Sequence, residues 1–189
     1  GRVVSVALVV LLAFLCSRMV LKTEAPGKVL ASAQDHHYVL SNSVLAVNWE
    51  VAGDHIIHLV IQDKLHGTII PFPDPFALLL DDRSVYDSGN LRVNGPVRRK
   101  NLGPAQNASR YSDRVAGEEF EVPLVNADGS LHLTWDVVLR DGSNYVREVL
   151  TLRAIDRDVP ITRGKLLDAN LSDAHVVGSV RGSPIVAGN

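Results

Sequence analysis

Residues 131–153, LHLTWDVVLRDGSNYVREVLTLR, constrain this chain more than any other stretch. Leu131, Leu133, Trp135, Val137 and Leu139 occupy every second position, with His132, Thr134, Asp136 and Arg140 set mostly between them. That is the period of a half-buried strand, because successive side chains of a strand point to opposite faces. Asp141-Gly142-Ser143-Asn144 interrupts the pattern with residues suited to turn dihedrals. After it, Val146, Leu150, Leu152 and Ala154 share one parity and Tyr145, Arg147, Thr151 and Arg153 the other. The stretch predicts a long β-hairpin with Leu133, Trp135, Val137, Leu150 and Leu152 in a core.

The rest of the chain repeats this character. Residues 39–51 predict two short strands about Ser41-Asn42-Ser43, and residues 56–62 (IIHLVIQ) a dense apolar strand after the turn at Gly53-Asp54. Residues 68–72 predict another strand. Pro71, Pro73 and Pro75 lack backbone donors and place that region at an edge or in a loop. Residues 77–80, 84–90, 120–125, 159–167 and 176–180 predict further strands, whereas 95–118, polar and without a period, predict a long loop excursion. Short strands joined by turns, with no helical period over three turns outside the first residues, predict an all-β fold, an antiparallel β-sandwich.

Residues 3–16 are apolar apart from Ser5. As a helix they would span roughly 21 Å, short of the ~30 Å hydrocarbon core, which favours a secretory leader over a permanent span. A buried core helix or a membrane anchor fits the same letters. Ala31-Ser32-Ala33 offers a small-x-small cleavage pattern, so residues 1–33 are assigned as leader and 34–189 as the sandwich domain. Export to the periplasm, the cell surface or the medium follows, with no stable membrane span after cleavage. Gly1 at the start and a strand-like end suggest a fragment. Cys16 is the only cysteine, which excludes an intrachain disulfide. Lys and Arg number 19 against 21 Asp and Glu without basic runs, so nucleic acid is not an expected partner.

No GxSxG elbow, phosphate-binding glycine loop, HExxH or CxxC pair occurs, and no cofactor or metal is implied. His55 and His58 would point to opposite faces of a strand and do not suit one ion. Glu118, Glu119 and Glu121, like Asp81 and Asp82, could be paired carboxylates of a glycosidase, but fit a solvated face better. Trp49 and Trp135 are candidate carbohydrate-stacking residues, since an aromatic ring suits the apolar face of a pyranose. Both also fit the buried set of a strand, the more frequent fate of such residues. Tyr145, Arg147 and Glu148, directly after the hairpin turn, are candidate ligand contacts at a strand end, with a structural ion pair the alternative for Arg147.

Several of these segments together resemble a known domain. They are Leu40 and Asn42 before Trp49-Glu50, Asp63 with Gly67 beyond, Trp135, and Arg140-Asp141-Gly142-Ser143-Asn144-Tyr145-Val146-Arg147. A later segment, Val177-Gly178-Ser179-Val180-Arg181-Gly182-Ser183-Pro184, completes the set. The chain from about residue 38 is similar to the amino-terminal galactose-mutarotase-like β-supersandwich of secreted bacterial glycoside hydrolases. These are α-galactosidase-like and endo-α-N-acetylgalactosaminidase-like enzymes, including proteins labelled enterotoxin-like. The segment around Ser143-Asn144-Tyr145-Val146-Arg147-Glu148 is its most distinctive part. The resemblance implies a non-catalytic sandwich that handles carbohydrate and packs on a downstream TIM-barrel catalytic domain, which carries the catalytic carboxylates. No mutarotase catalytic motif is matched, so epimerase activity is not implied. The rival readings are a stand-alone carbohydrate-binding or adhesion module and a purely structural surface domain.

Overall fold

A computed structural model describes residues 25–166. The apolar run 3–16 of the assigned leader and the segment 176–180 lie outside these residues. Five strands form one antiparallel meander: β1 Leu30–Gln34, β2 His37–Ser41, β3 Leu45–Ala52, β4 His55–Asp63 and β5 Thr68–Phe72, in that spatial order. Two-residue turns with positive φ at both positions close its first and third hairpins: Asp35-His36 joins β1 to β2 and Gly53-Asp54 joins β3 to β4. Such turns match the right-handed twist of paired strands. Ala31-Ser32-Ala33 lies inside β1, paired with Leu40, Val39 and Tyr38, so the cleavage pattern falls within a strand.

A small sheet holds β6 Ala77–Leu80 between β7 Val85–Asp87 and β13 Ile161–Lys165. The second large sheet contains β8 Arg92–Val93, β9 Arg98–Leu102, β10 Gly117–Val125, β11 Leu131–Arg140 and β12 Arg147–Ala154. Its order is β12-β11-β10, with β8 and β9 sharing the far side of β10. Pro123 sits mid-strand in β10, between the stretch that pairs with β9 and the stretch that pairs with β8. Its carbonyl accepts the Asn94 N–H at 2.8 Å, so its missing donor faces that gap and breaks no bond to β11.

The two large sheets meet in one core, as the alternating pattern requires. Leu40, Val47 and Trp49 come from the first sheet, and Phe120, Val122, Leu133, Trp135 and Val137 from the second. Trp49 and Trp135 meet edge to face at 5.2 Å, Trp49 stacks on Tyr38 at 5.6 Å, and Phe120 closes the cluster at 5.5 Å from both Tyr38 and Trp49. The fold is an all-β, antiparallel sandwich. Among the described residues the only helical element is a 3-10 turn at Tyr111–Arg114, and no helix is long and apolar enough to cross a membrane.

Two expectations need correction. The region 95–118 is not one loop, because β9 lies within it. Arg98, Arg99 and Lys100 of β9 reach Glu121, Glu118 and Glu119 of β10 at 3.0–3.2 Å, and Lys100 also bonds Glu121. Cross-strand charge pairs stabilise this strand, so it has no apolar period to read. Leu152 is not in the core: it is 40% exposed, and Leu150 is half-buried, because β12 has a neighbour on one side only among the described residues.

Candidate functional site

The loop 141–146 turns the hairpin at one end of the sandwich. There the 3-10 turn at Tyr111–Arg114 stands over the ends of β11 and β12, and the two enclose a cleft of about 830 Å³. Its walls include Arg110, Tyr111, Arg140, Tyr145, Arg147 and Glu148. Tyr145 is 53% exposed and Tyr111 is 78% exposed, so both rings are available to a ligand.

A charge knot fixes the wall between them. Asp113 accepts from Arg147 Nη1 at 2.8 Å and lies 3.5 Å from Arg140 Nη2. The Arg147 hydrogen bond, followed by the positive charges of Arg147, Arg140 and Arg110, holds the Asp113 carboxyl below its usual range. Arg140 lies across Gly117, where a Cβ would stand 2.4 Å from the Leu139 carbonyl oxygen and 2.8 Å from the Arg140 side chain. Glycine therefore permits the guanidinium to reach back and donate to the Val115 carbonyl at 2.7 Å. Arg140 thereby ties the loop before β10 to the hairpin. At the loop itself, the Asn42 side chain donates to the Ser143 carbonyl at 2.7 Å, and Asp141 accepts the Val29 N–H at 2.8 Å. The loop is thus anchored to the first sheet.

Glu148 is the buried titratable group of the cleft. It pairs with Val137 and so lies on the core face of β12, where Trp135 Nε1 donates to it at 3.3 Å. Burial raises its carboxyl to about 7, partly opposed by that hydrogen bond. Its place directly after the hairpin turn marks it in the sequence as a polar strand-end residue, but nothing there marks its burial, because a glutamate in an edge strand ordinarily reads as solvated.

Of the residues singled out from sequence, the structure brings Tyr145, Arg147 and Glu148 into one cleft and separates them from Trp49 and Trp135. The tryptophans are 1% and 0% exposed and offer no ring face to a ligand. Core packing is the placement observed for both. The structure adds Arg110 and Tyr111, from a segment with no period of its own.

Other candidates resolve into structural roles. His55 Nδ1 faces the carbonyls of Ser88 and Leu91 at 3.2 and 3.0 Å, while His58 and His37 both approach Glu50, at 3.4 and 3.1 Å. Carboxylates of Glu119, Glu121 and Asp136 lie within 4.8 Å of one another on the outer face of the second sheet. Lys100 already serves the first two as counter-ion. Burial, then the Glu119 charge, raises Asp136 to about 6.

Compared with protein families, with curated proteins and with solved structures, the chain matches none.

Proposed function

We propose that this chain is the carbohydrate-handling, non-catalytic β-sandwich domain of an exported glycoside hydrolase, and that it holds sugar in the cleft beside the loop 141–146. The observation that carries the reading is the convergence of two exposed tyrosine rings, Tyr111 and Tyr145, with guanidinium and carboxyl groups in one concave site. Aromatic faces with a few polar groups are the chemistry that holds a pyranose, the ring covering its C–H face and the polar groups its hydroxyls. The resemblance of the Ser143-Asn144-Tyr145-Val146-Arg147-Glu148 segment to secreted glycoside hydrolases supports the same reading, and this segment lines the cleft in part.

A non-catalytic role agrees with how the cleft's carboxyl groups are used. Glycoside hydrolysis generally needs two free carboxyl groups on either side of the bond. Here Asp113 is taken up by Arg147 and Arg140, Asp141 accepts the Val29 N–H, and Glu148 is left to act singly.

A glycan array tests the reading. The protein is expected to retain a defined set of oligosaccharides, and Tyr145→Ala to lose them with an unchanged melting temperature. An array without binding, or binding indifferent to Tyr145→Ala and Tyr111→Ala, would overturn it.

A further inference from the structure

The cleft's cations are unequally used. Arg140 has both terminal nitrogens occupied, donating to the carbonyl of Val115, with that of Gly103 and Asp113 at 3.5 Å, while its Nε, shielded like that of Arg147, lacks an acceptor among the described residues. Arg147 spends one terminal nitrogen on Asp113, and its Nη2 and Nε find no acceptor among the described residues, Nε being shielded from solvent. With Nε out of a ligand's reach, the terminal Nη2 is the donor that Arg147 can offer a carboxylate in the cleft, as a charge-assisted hydrogen bond. Arg110 also lines the cleft and is exposed; its carbonyl accepts the Asp113 N–H at 3.1 Å, but its guanidinium makes no hydrogen bond or ion pair with a described residue, although its charge reaches Asp113. The opposing carboxylates are Asp113, already shared between two arginines, and Asp141. Glu148 adds little negative charge in mildly acidic solution, because burial holds it as the acid up to about 7. Positive charge in excess is therefore concentrated in the cleft that Arg110 and Arg147 line together with Tyr111.

Building on the carbohydrate reading of this cleft, we infer that its ligand is an acidic sugar, a uronate-containing oligosaccharide whose carboxylate is taken by Arg147 and Arg110 while the ring lies against tyrosine. A bare carboxylate would use the arginines alone, leaving both exposed tyrosine faces without a function. A neutral sugar would displace water from Arg147 Nη2 and from Arg110 without supplying a charged acceptor, and so would forgo the stronger, charge-assisted bond.

Calorimetric titration with backbone-matched trisaccharides tests this: galacturonate against galactose, glucuronate against glucose, mannuronate against mannose, with acetate at equal ionic strength as the bare-carboxylate arm. At pH 6 at least one uronate is expected to bind more than tenfold tighter than its neutral partner. Arg110→Gln, at an exposed position that leaves the fold intact, and Arg147→Lys, which keeps charge without the guanidinium, should each shrink that preference several-fold. Equal affinity for acid and neutral partners, or a preference unmoved by both variants, overturns the inference and leaves the carbohydrate reading standing. Acetate competing as well as the uronate also overturns it, in favour of a simple anion site. Failure of every sugar to bind removes the carbohydrate reading itself, and this inference with it.

Discussion

Strands β11 and β12 carry the same alternation of large apolar and polar residues, yet they meet different surroundings. Leu133 and Trp135 of β11 are sealed in the core, while their paired neighbours Leu152 and Leu150 on β12 are exposed and half-buried. Period decides which face a side chain takes. Position in the sheet decides whether that face is covered. β11 has β10 on one side and β12 on the other, whereas β12 is an edge among the described residues. The cleft forms at this transition, where Glu148 keeps its core-facing direction but loses part of its cover.

That contrast can be broken most forcefully at Trp135. Trp135→Ala removes the fully buried ring that meets Trp49 edge to face, deletes the donor to Glu148, and is expected to cost about 4 kcal/mol in urea unfolding. A loss below about 1 kcal/mol would show that the cluster is not the core that holds the two sheets together.

A smaller effect is expected from pH. Folded Glu148 holds its proton up to about 7, against an ordinary value of 4.5, so its contribution is fully present below pH 4.5 and is lost as pH rises through about 7. The difference amounts to ~3 kcal/mol. Denaturant midpoints taken from pH 4.5 to 8 should fall across that window, and Glu148→Gln should flatten the decline. Asp136, raised to about 6, leaves a residual slope of the same sign in that variant. A wild-type profile already flat across the window would mean that Glu148 is solvated and that the cleft wall is open there.

The smallest change is expected on the exposed edge. Leu152→Ser should alter stability by no more than about 0.5 kcal/mol, because its side chain is already partly in water. A cost approaching that of Trp135→Ala would show β12 to be covered in solution, and the two strands equivalent after all.

Much of the sandwich was legible in the chain. The segments 68–72 and 77–80 fall on β5 and β6, and residues 131–153 fold as the predicted hairpin because alternation and turn chemistry act locally. β9 was not legible, since Arg98, Arg99 and Lys100 are fixed by glutamates about twenty residues away and not by apolar burial. Half of the site was legible for the same kind of reason. Tyr145 and Arg147 follow a turn that sequence locates. Tyr111, Arg110 and the burial of Glu148 depend on the 3-10 turn folding over a hairpin more than thirty residues distant along the chain, which no local pattern encodes. Trp49 and Trp135 mark the limit of residue-type reasoning: ring chemistry that suits a sugar also suits a core, and the depth of their strands in the sandwich decided between them.

The central claim, that sugar binds beside the loop 141–146, is tested most directly by mapping backbone amide shifts in solution. The mapping is done while a trisaccharide is added, in both its galactose and galacturonate forms. Shifts confined to residues 110–115 and 140–150, with the amides of Trp49 and of β4 unmoved, are the predicted result. No shifts with either sugar, or shifts centred on another face of the sandwich, would contradict the account.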